Sequence, residues 1–514
     1  MENELKLQIN PLDIAKFRRS LLSNTKSLSK AALLQRDSIY FDTPDFYFRQ
    51  HNCALHVRQE KTHWIQTLEQ DSGAIRSFHE QSEWEGPVAG PCPDLKSLAA
   101  LIVQNKKLIK LLKAPELKDR LEPVFETKVR RTVWHILTKD GDQIDLALDQ
   151  GKIEAGKSRC DINEVALQIK AGNPAALFRL AMDMQHNIRF QVGNLSKAAR
   201  GYELHAPASL KPQKNRPLSL VAAMRLTDAI ESVVANCVEQ VRSNEIGTVR
   251  SNDPEYVHQM RVGLRRLRLS LELFREITPY EKALKDNLEW AAAALGATRN
   301  WEVLAFDTLP MLFDNFPAEP ELEALGKAAL DMAAKYRRRA ATVIGSARYA
   351  KLLLQLGEWL ERVHAGKYTQ TSQDHDTPKA SDDSLRKFSS RALREYRRKL
   401  LQRGHGLKEK GPETVHRLRI TAKKLRYGGD FFQSLPGRRN HPPAAVLNEL
   451  LSALGRFHDL SVADALLREL AQAHPTAEKG AYFVRGYLAR RTETGLSQMN
   501  RIWQGFIERA GMKK

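Results

Sequence analysis

The sequence predicts two differently built parts: an α+β half whose antiparallel sheet encloses a polar, tunnel-like interior, then an all-α half made of a duplicated helical bundle. Three observations predict it. Alternating strand patterns run to about Leu204, a helical period takes over from about Leu218, and two motifs of the helical part recur in the same order.

In the first part, ELKLQI, CALHVRQE, HWIQTLEQ and INEVALQIK alternate apolar and polar side chains, the period of a strand. KVRRTVWHILTKDGDQIDLALDQGKIEAG predicts two strands around the turn Lys139-Asp140-Gly141-Asp142, with a further turn at Gln150-Gly151. Helical spacing intervenes in LDIAKFRRSLLS and PAALFRLAMDM. Many of the strands carry ionisable residues on one face. A small barrel or tunnel with a polar interior accounts for them; a sheet face that merely meets water does not.

HAPASLKPQKNRPLSL, rich in Pro, Ser and Lys, predicts a linker. The expected domains are therefore 1–205, the tunnel, and 218–514, the helical part, joined by a linker at 206–217. The helical part divides into repeats at about 218–365 and 385–510, with KYTQTSQDHDTPKASDDS (367–384) between them and a second break at SLPGRRNHPPAA.

The repeats are defined by VHQMRVGLRRLR from Val257 and VHRLRITAKKLR from Val415, each followed by an LG turn, LGATRNWEVL from Leu295 and LGRFHDLSVA from Leu454. On a helix, His258, Arg261, Arg265 and Arg268 fall within an arc of roughly 80°, apart from an apolar stripe of Met260, Leu264, Leu267 and Leu271. The second copy places His416, Arg419, Lys423 and Arg426 on the equivalent face, with Leu418, Ala422 and Leu425 on the core side. Cations so spaced repel by roughly a few tenths of a kcal/mol per pair, and a face written twice makes sense with an anion to neutralise it. The leading histidines titrate near neutrality and can add charge when phosphate is present. Two further basic runs, KYRRR (335–339) and RRK (397–399), are expected to complete the walls of the groove, since guanidinium matches phosphate oxygens bidentately.

Composition agrees. The chain has 81 Lys+Arg against 61 Asp+Glu, a net +20, with 30 basic and 26 acidic residues up to position 210 and 51 and 35 beyond it. The basic excess of the helical part calls for a polyanionic partner, which by charge alone could be nucleic acid, anionic lipid or polyphosphate. No apolar run has the length of a membrane span, and MENELKLQIN lacks the basic-then-apolar order of a secretory signal, so a soluble cytoplasmic protein with no membrane partner is expected. Its four cysteines are scattered without a C-x-x-C pair, which argues against zinc.

The four repeated segments together resemble the CHAD family, over about residues 218–510. The resemblance implies two pseudo-symmetric four-helix bundles and a basic channel for inorganic polyphosphate, carried by His258, Arg261, Arg265, Arg268, His416, Arg419, Lys423 and Arg426, with polyphosphate granules as a place of association. Asn300 stands where that family often has Asp.

At the other end, Glu2, Glu4 and Lys6 alternate along ENELK and so share one strand face. Neighbouring carboxylates can hold Mg²⁺ or Mn²⁺ while a lysine beside them takes a phosphate oxygen. With IYFDTPDFYFRQHNCALHVR, TLE, ALDQGKIEAG and LSKAARGY, this stretch resembles the CYTH family of triphosphate tunnel metalloenzymes over about residues 1–205. That resemblance implies an eight-stranded antiparallel tunnel that hydrolyses triphosphate or thiamine triphosphate, or cyclises ATP. The CYTH-plus-CHAD order is most similar to bacterial inorganic triphosphatases. It also implies Glu2, Glu4 and Lys6 as catalytic residues, Glu2, Glu4 and Glu164 as ligands of Mg²⁺ or Mn²⁺, and Lys6, Arg58, Arg131, Lys197 and Arg200 as triphosphate contacts.

Several positions depart from the family pattern. Glu164-Val165-Ala166-Leu167-Gln168-Ile169 keeps one of three usual carboxylates, and His56, Glu69 and Lys152 replace an Arg, a Lys and an acid. Glu83 and Glu85 of SEWEG are candidate replacement ligands. Three readings follow: a metal-dependent inorganic triphosphatase whose helical half captures longer chains, a polyphosphate-binding protein with a weakened or silent tunnel, and a nucleic-acid binder. The last is disfavoured, because the basic helices lack interleaved aromatics and no helix-turn-helix or finger spacing occurs.

Overall fold

The computed structural model describes residues 2–20, 27–60, 62–71, 80–103, 105–114, 117, 119–207, 211–314, 316, 319–366, 385–405, 412–436 and 442–511, without the side chains of 2, 3, 20, 71, 80, 81, 412, 493, 496 and 497. The expected break at 367–384 lies outside them, as does GRRNH (437–441) in the second one. Strands are β1 (Glu2–Ile9), β2 (Ser27–Leu28), β3 (Ala32–Asp42), β4 (Cys53–Glu60), β5 (His63–Asp71), β6 (Glu80–Val88), β7 (Glu122–Leu137), β8 (Gln143–Ala155), β9 (Ser158–Ala171) and β10 (Phe190–Val192). Helices of the first half are α1 (Ile14–Ser20), α2 (Tyr47–Gln50), α3 (Leu95–Leu101), α4 (Lys106–Leu112), α5 (Ala175–Met184) and α6 (Lys197–His205). Those of the second are α7 (Leu226–Arg242), α8 (Glu245–Arg250), α9 (Pro254–Leu273), α10 (Lys282–Glu302), α11 (Leu309–Phe313), α12 (Pro320–Ile344), α13 (Ala347–His364), α14 (Leu385–Gly404), α15 (Pro412–Phe431), α16 (Ala444–Ala473) and α17 (Glu478–Arg509).

The chain forms two compact units, one of residues 1–211 with 345–365, the other of 212–344 with 366–514. In the first, the strands run antiparallel in the order β6-β5-β4-β3-β7-β8-β9, and β1 joins the ends: Glu2 and Asn3 pair with β6, Glu4 to Gln8 with β9. The wall is tunnel-like, as the polar strand faces require. Leu5, Leu7 and Ile9 are buried on one face of β1, which leaves Glu4, Lys6 and Gln8 for the interior.

The β7–β8 hairpin turns at residues 138–142, where Gly141 takes φ +90°, as expected. The turn expected at Gln150-Gly151 does not form. β8 runs on to Ala155, and the chain reverses at Gly156, φ +56°. Gly151 is needed for a different reason: a Cβ there would lie 1.9 Å from the carbonyl oxygen of Lys128 on β7. Outside the sheet, α3 and α4 pack Leu98, Ile102, Leu108 and Leu112 against Phe41, Leu55, Val57 and Leu68.

In the second unit, each repeat has four principal helices: α7, α9, α10 and α12, then α14, α15, α16 and α17. Asp253 caps α9 by accepting from Glu255 N–H at 2.8 Å, with Pro254 at the first turn. Met260, Leu264, Leu267 and Leu271 are buried, as are Leu418, Ala422 and Leu425 of α15. The expected LG turns are instead mid-helix: Gly296 lies inside α10 and Gly455 inside α16. The burial of their leucines, Leu295 and Leu454, favours continued helix over a turn.

Helix α13 departs from the expected extent of the first repeat, which ended near 365. It packs on α5 and β10 of the tunnel unit, and Gln185 donates to the Ala347 carbonyl at 2.7 Å. Its apolar residues circle the helix: Leu352, Leu353, Leu354, Leu356, Trp359 and Leu360 are all buried. Such a helix belongs in a core.

Candidate functional site

In the tunnel, register fixes what faces what. Arg131, Asp149 and Glu164 are direct cross-strand partners on β7, β8 and β9, so their side chains share the inner face. Arg131 donates twice to Asp149, Nε to Oδ1 and Nη2 to Oδ2, both at 2.7 Å. Helix α6, capped by Ser196 accepting from Ala199 N–H, brings in Lys197 and Arg200. Lys197 pairs with Asp149 at 2.8 Å and with Glu164, and Arg200 reaches Glu164 at 3.5 Å. Gly201 lets α6 sit this close, because a Cβ would strike the Phe125 ring, and Tyr202 Oη fastens the helix by donating to Asp42 at 2.8 Å.

Lys6 pairs with Glu4 at 3.0 Å. Burial alone would raise the Glu4 carboxyl, but Lys6 and Lys197 outweigh it and hold it down to about 2. Asp149 is likewise driven well below the carboxylate range: burial opposes it, and Lys197 with Arg131 prevails. Lys6 and Lys197 move up, carboxylates outweighing desolvation.

The opposite wall differs. Arg58 on β4 pairs with Glu60 at 2.9 Å and with Glu85 at 2.8 Å, so Glu85 does point inward. His56 is buried beside Tyr40, its Nδ1 3.6 Å from Glu69, and burial next to Arg58 pushes it down to about 3. It is neutral at neutral pH, while Glu69 is raised by burial. The two departures from the family pattern therefore sit together: a neutral imidazole and a perturbed carboxyl occupy places where the resemblance implies cations. Lys152, the third, pairs with Glu154 at 2.5 Å.

Of the metal ligands that the resemblance implies, the structure describes the side chains of Glu4 and Glu164. Glu4 pairs in register with Gln168, and Glu164 with Gln8, so Glu4 and Glu164 lie four residues apart along the same ladder, ~13 Å at about 3.3 Å per residue. Each is engaged by a lysine, and among the described residues no three His, Cys, Asp or Glu side chains converge. The side chain of Glu2 lies outside the described residues. A divalent ion such as Mg²⁺ would be held by one or two of these carboxylates and would take its remaining oxygens from water and substrate phosphate.

Sequence reasoning missed Asp149, a fully buried acid of the tunnel. ALDQG shows one Asp among alternating residues; its inward register between Arg131 and Glu164 was the available signal.

In the helical unit, the two repeated helices face each other. Arg265 of α9 donates to the Tyr427 hydroxyl of α15 at 3.4 Å, and Lys424 pairs with Glu272. Arg265, Arg268, Arg419 and Lys423 line one cavity of about 540 Å³, together with Tyr280, Tyr427 and the apolar Leu269, Leu288 and Ile420. Next in chain position, Arg261, Asn300, His458 and Asp459 share a small crevice, so the two LG motifs also meet. Burial beside Arg265 and Arg419 brings the Arg261 guanidinium down to about 10, and Arg419 too is lowered by burial. Nε of Arg419 and of Arg426 are buried donors without a hydrogen-bond acceptor.

Of the expected groove residues, Arg268 is exposed and pairs with Glu289 at 3.1 Å, and Arg426 stacks on Tyr427. His258 is half-buried and lowered by burial, and His416 sits with its Nδ1 3.4 Å from that of His458. The runs at 335–339 and 397–399 do not line the cavity. Arg337 turns to Glu302 and the Ser251 carbonyl, Lys399 to Glu395, and Arg397 to the Gly511 carbonyl. Arg266, adjacent to the stripe, is a core residue bound to Gln240 at 2.8 Å and Asn236 at 2.7 Å.

Lysine, arginine and paired carboxylates thus line an antiparallel tunnel, and a duplicated bundle with facing cationic helices follows it. Comparison with known proteins agrees in architecture: residues 1–202 match the CYTH domain and residues 232–468 the CHAD domain. The crystal structure of the CHAD domain from the plant Ricinus communis is 32% identical, with a TM-score of 0.51, over 57% of this chain and 96% of that one. The chain thus belongs to the CHAD family and carries a CYTH domain in front. An inorganic triphosphatase of Haemophilus influenzae is 25% identical over 238 residues, 45% of this chain and 62% of that relative, so the match spans less than two thirds of its length. No helix among the described residues is long and apolar enough to cross a membrane.

Proposed function

We propose that this chain recognises inorganic phosphate chains, a linear polyphosphate in the helical groove and a triphosphate in a triphosphatase-type tunnel. The observation that carries the reading is the meeting of both repeated stripes at one cavity: Arg265 and Arg268 from one copy, Arg419 and Lys423 from the other. Like charges held this close repel unless an anion fills the space between them. Guanidinium groups suit phosphate oxygens, and the likeness to an inorganic triphosphatase supports the same ligand class for the tunnel.

In the tunnel, Lys6, Arg131, Lys197 and Arg200 would take the triphosphate, each exchanging a carboxylate for a phosphate oxygen. Triphosphatases of the CYTH family depend on a divalent metal. Here Glu4 and Glu164 serve cations, which favours triphosphate binding without rapid turnover over the full hydrolase. The test is phosphate release from tripolyphosphate with Mg²⁺ or Mn²⁺, wild type beside Glu4→Ala, with long-chain polyphosphate and DNA competing for binding. We expect tight polyphosphate binding that DNA displaces poorly, and release no faster than the Glu4→Ala control. Release that disappears in that variant would establish hydrolysis in the tunnel, and preference for DNA would overturn the phosphate-chain reading.

A further inference from the structure

The two copies of the basic face are not chemically equal. Where the first has Arg265 and Arg299, the second has Lys423 and His458, and Asp459 answers to Asn300. We infer that capture of a phosphate chain by the helical unit takes up protons, and that Lys423 and the His416–His458 pair of the second repeat are the groups that receive them. This rests on the groove being a phosphate-chain site.

The geometry sets up the coupling. Lys423, half-buried on α15, stands one turn from Arg419 and faces Arg261 and Arg265 of α9, with Asp459 of α16 as the opposing carboxylate. The two acids that line the cavity itself are already engaged, Glu272 by Lys424 and Glu289 of α10 by Arg268. Three guanidinium groups keep their protons at neutral pH. The amine is the group that can yield, so repulsion is relieved at Lys423. Burial, then Arg265, Arg419 and Arg261, bring it down to about 6 despite Asp459.

The imidazole pair points the same way. His416 and His458 approach Nδ1 to Nδ1 at 3.4 Å with ring centroids 5.1 Å apart. A hydrogen bond between those atoms needs one of them bare, so this arrangement excludes two imidazolium rings. Burial and then Arg419 push His458 down to about 3, and burial lowers His416 as well. The empty groove thus holds Lys423 and both rings short of protons at neutral pH. A phosphate chain reverses the local field, and the protonated forms become the stable ones. Arg265 and Arg299 of the first repeat are charged in both states and contribute nothing to this exchange.

The sign follows from linkage. Well below pH 6 Lys423 is charged with or without ligand, so its part of the affinity is flat. Above about 6 each bound chain must bring a proton to it, and affinity falls by up to about tenfold per pH unit. The same asymmetry destabilises the unliganded protein, in full below about pH 6 and progressively less as pH rises to the ordinary lysine range, because the unfolded chain keeps the proton there.

The experiment is calorimetric titration of the whole protein with long-chain linear polyphosphate, whose end groups, the ones that titrate near neutrality, are a small share of its charge. Binding at pH 7 in two buffers of different ionisation enthalpy should show net proton uptake, and affinity should drop from pH 6 to pH 8. Lys423→Arg, permanently charged, should take up fewer protons and flatten the slope. His458→Gln should remove a further share, and Lys423→Met should raise the melting temperature of the unliganded protein. Binding with no buffer dependence and equal affinity at pH 6 and 8, or wild-type uptake in Lys423→Arg, would overturn the inference. Absence of binding at every pH would overturn the phosphate-chain reading itself.

Discussion

Replacing Asp149 with Ala will destabilise the tunnel unit by about 3–5 kcal/mol, the cost of removing one member of a buried ion pair and stranding the rest. Asp149 is fully buried and is the shared counter-ion of Arg131, which grips it with two hydrogen bonds, and of Lys197. Without it, two cations face each other across the tunnel with Glu164 as their remaining close carboxylate. For a unit of this size, roughly 2–4 °C of melting temperature per kcal/mol makes the loss about 6–20 °C. Lys152→Ala, at the exposed pair with Glu154, should cost less than about 1 kcal/mol and serves as the control. The pH dependence checks the cause. Both Asp149 and Glu4 are held below their ordinary range, so their contribution is complete above about pH 4 and is lost as pH falls toward and below 2, and the gap between the melts of wild type and Asp149→Ala should narrow steadily below about pH 4. A constant gap between the two from pH 7 to 3 would show that Asp149 acts by packing alone.

A chain cut at Lys211 will not give a stably folded tunnel unit. Helix α5 buries Leu177, Phe178, Leu180 and Met184, and its neighbour within the unit is α13, more than 150 residues later in the sequence. At roughly 1.5–3 kcal/mol per buried large apolar side chain, the four leucines of α13 at 352–354 and 356, with Trp359 and Leu360, contribute about 9–18 kcal/mol, as much as the roughly 5–15 kcal/mol by which a domain is usually stable. The fragment 1–211 should aggregate or melt without cooperativity, and the same fragment with 345–366 attached through a flexible linker should regain a cooperative transition. A sharp melt of 1–211 alone, equal to that of the extended fragment, would show that α13 is dispensable.

How much of this was legible follows from what each feature depends on. Alternation along β1, β4 and β5 marked the strands because one polar and one apolar face is a local property of the sequence. The duplicated helix was legible for the same reason, and four of its cations, Arg265, Arg268, Arg419 and Lys423, line one cavity. What escaped depends on partners distant in sequence. Gly151 looked like a turn residue because Gln-Gly commonly is one, while the constraint is the Lys128 carbonyl on the next strand. Leu-Gly at 295–296 and 454–455 looked like helix ends for a similar reason. Arg266 differs from its neighbours only by facing Gln240 and Asn236, which the run of cations conceals. Helical period announced α13 as a helix, yet its apolar circumference gives no direction, so nothing local said that it completes the tunnel unit.

The central claim is that both repeats hold one phosphate chain in one groove. It is tested most directly by titrating linear polyphosphate into wild type, Arg265→Ala, Arg419→Ala and the double variant at several salt concentrations. One groove predicts that either substitution weakens the same binding event, by about tenfold or more, without changing its stoichiometry, each lowering the slope of log K against log salt by about one. Loss of half the stoichiometry in each single variant, with the remaining affinity unaltered, would mean two separate sites and would contradict the account.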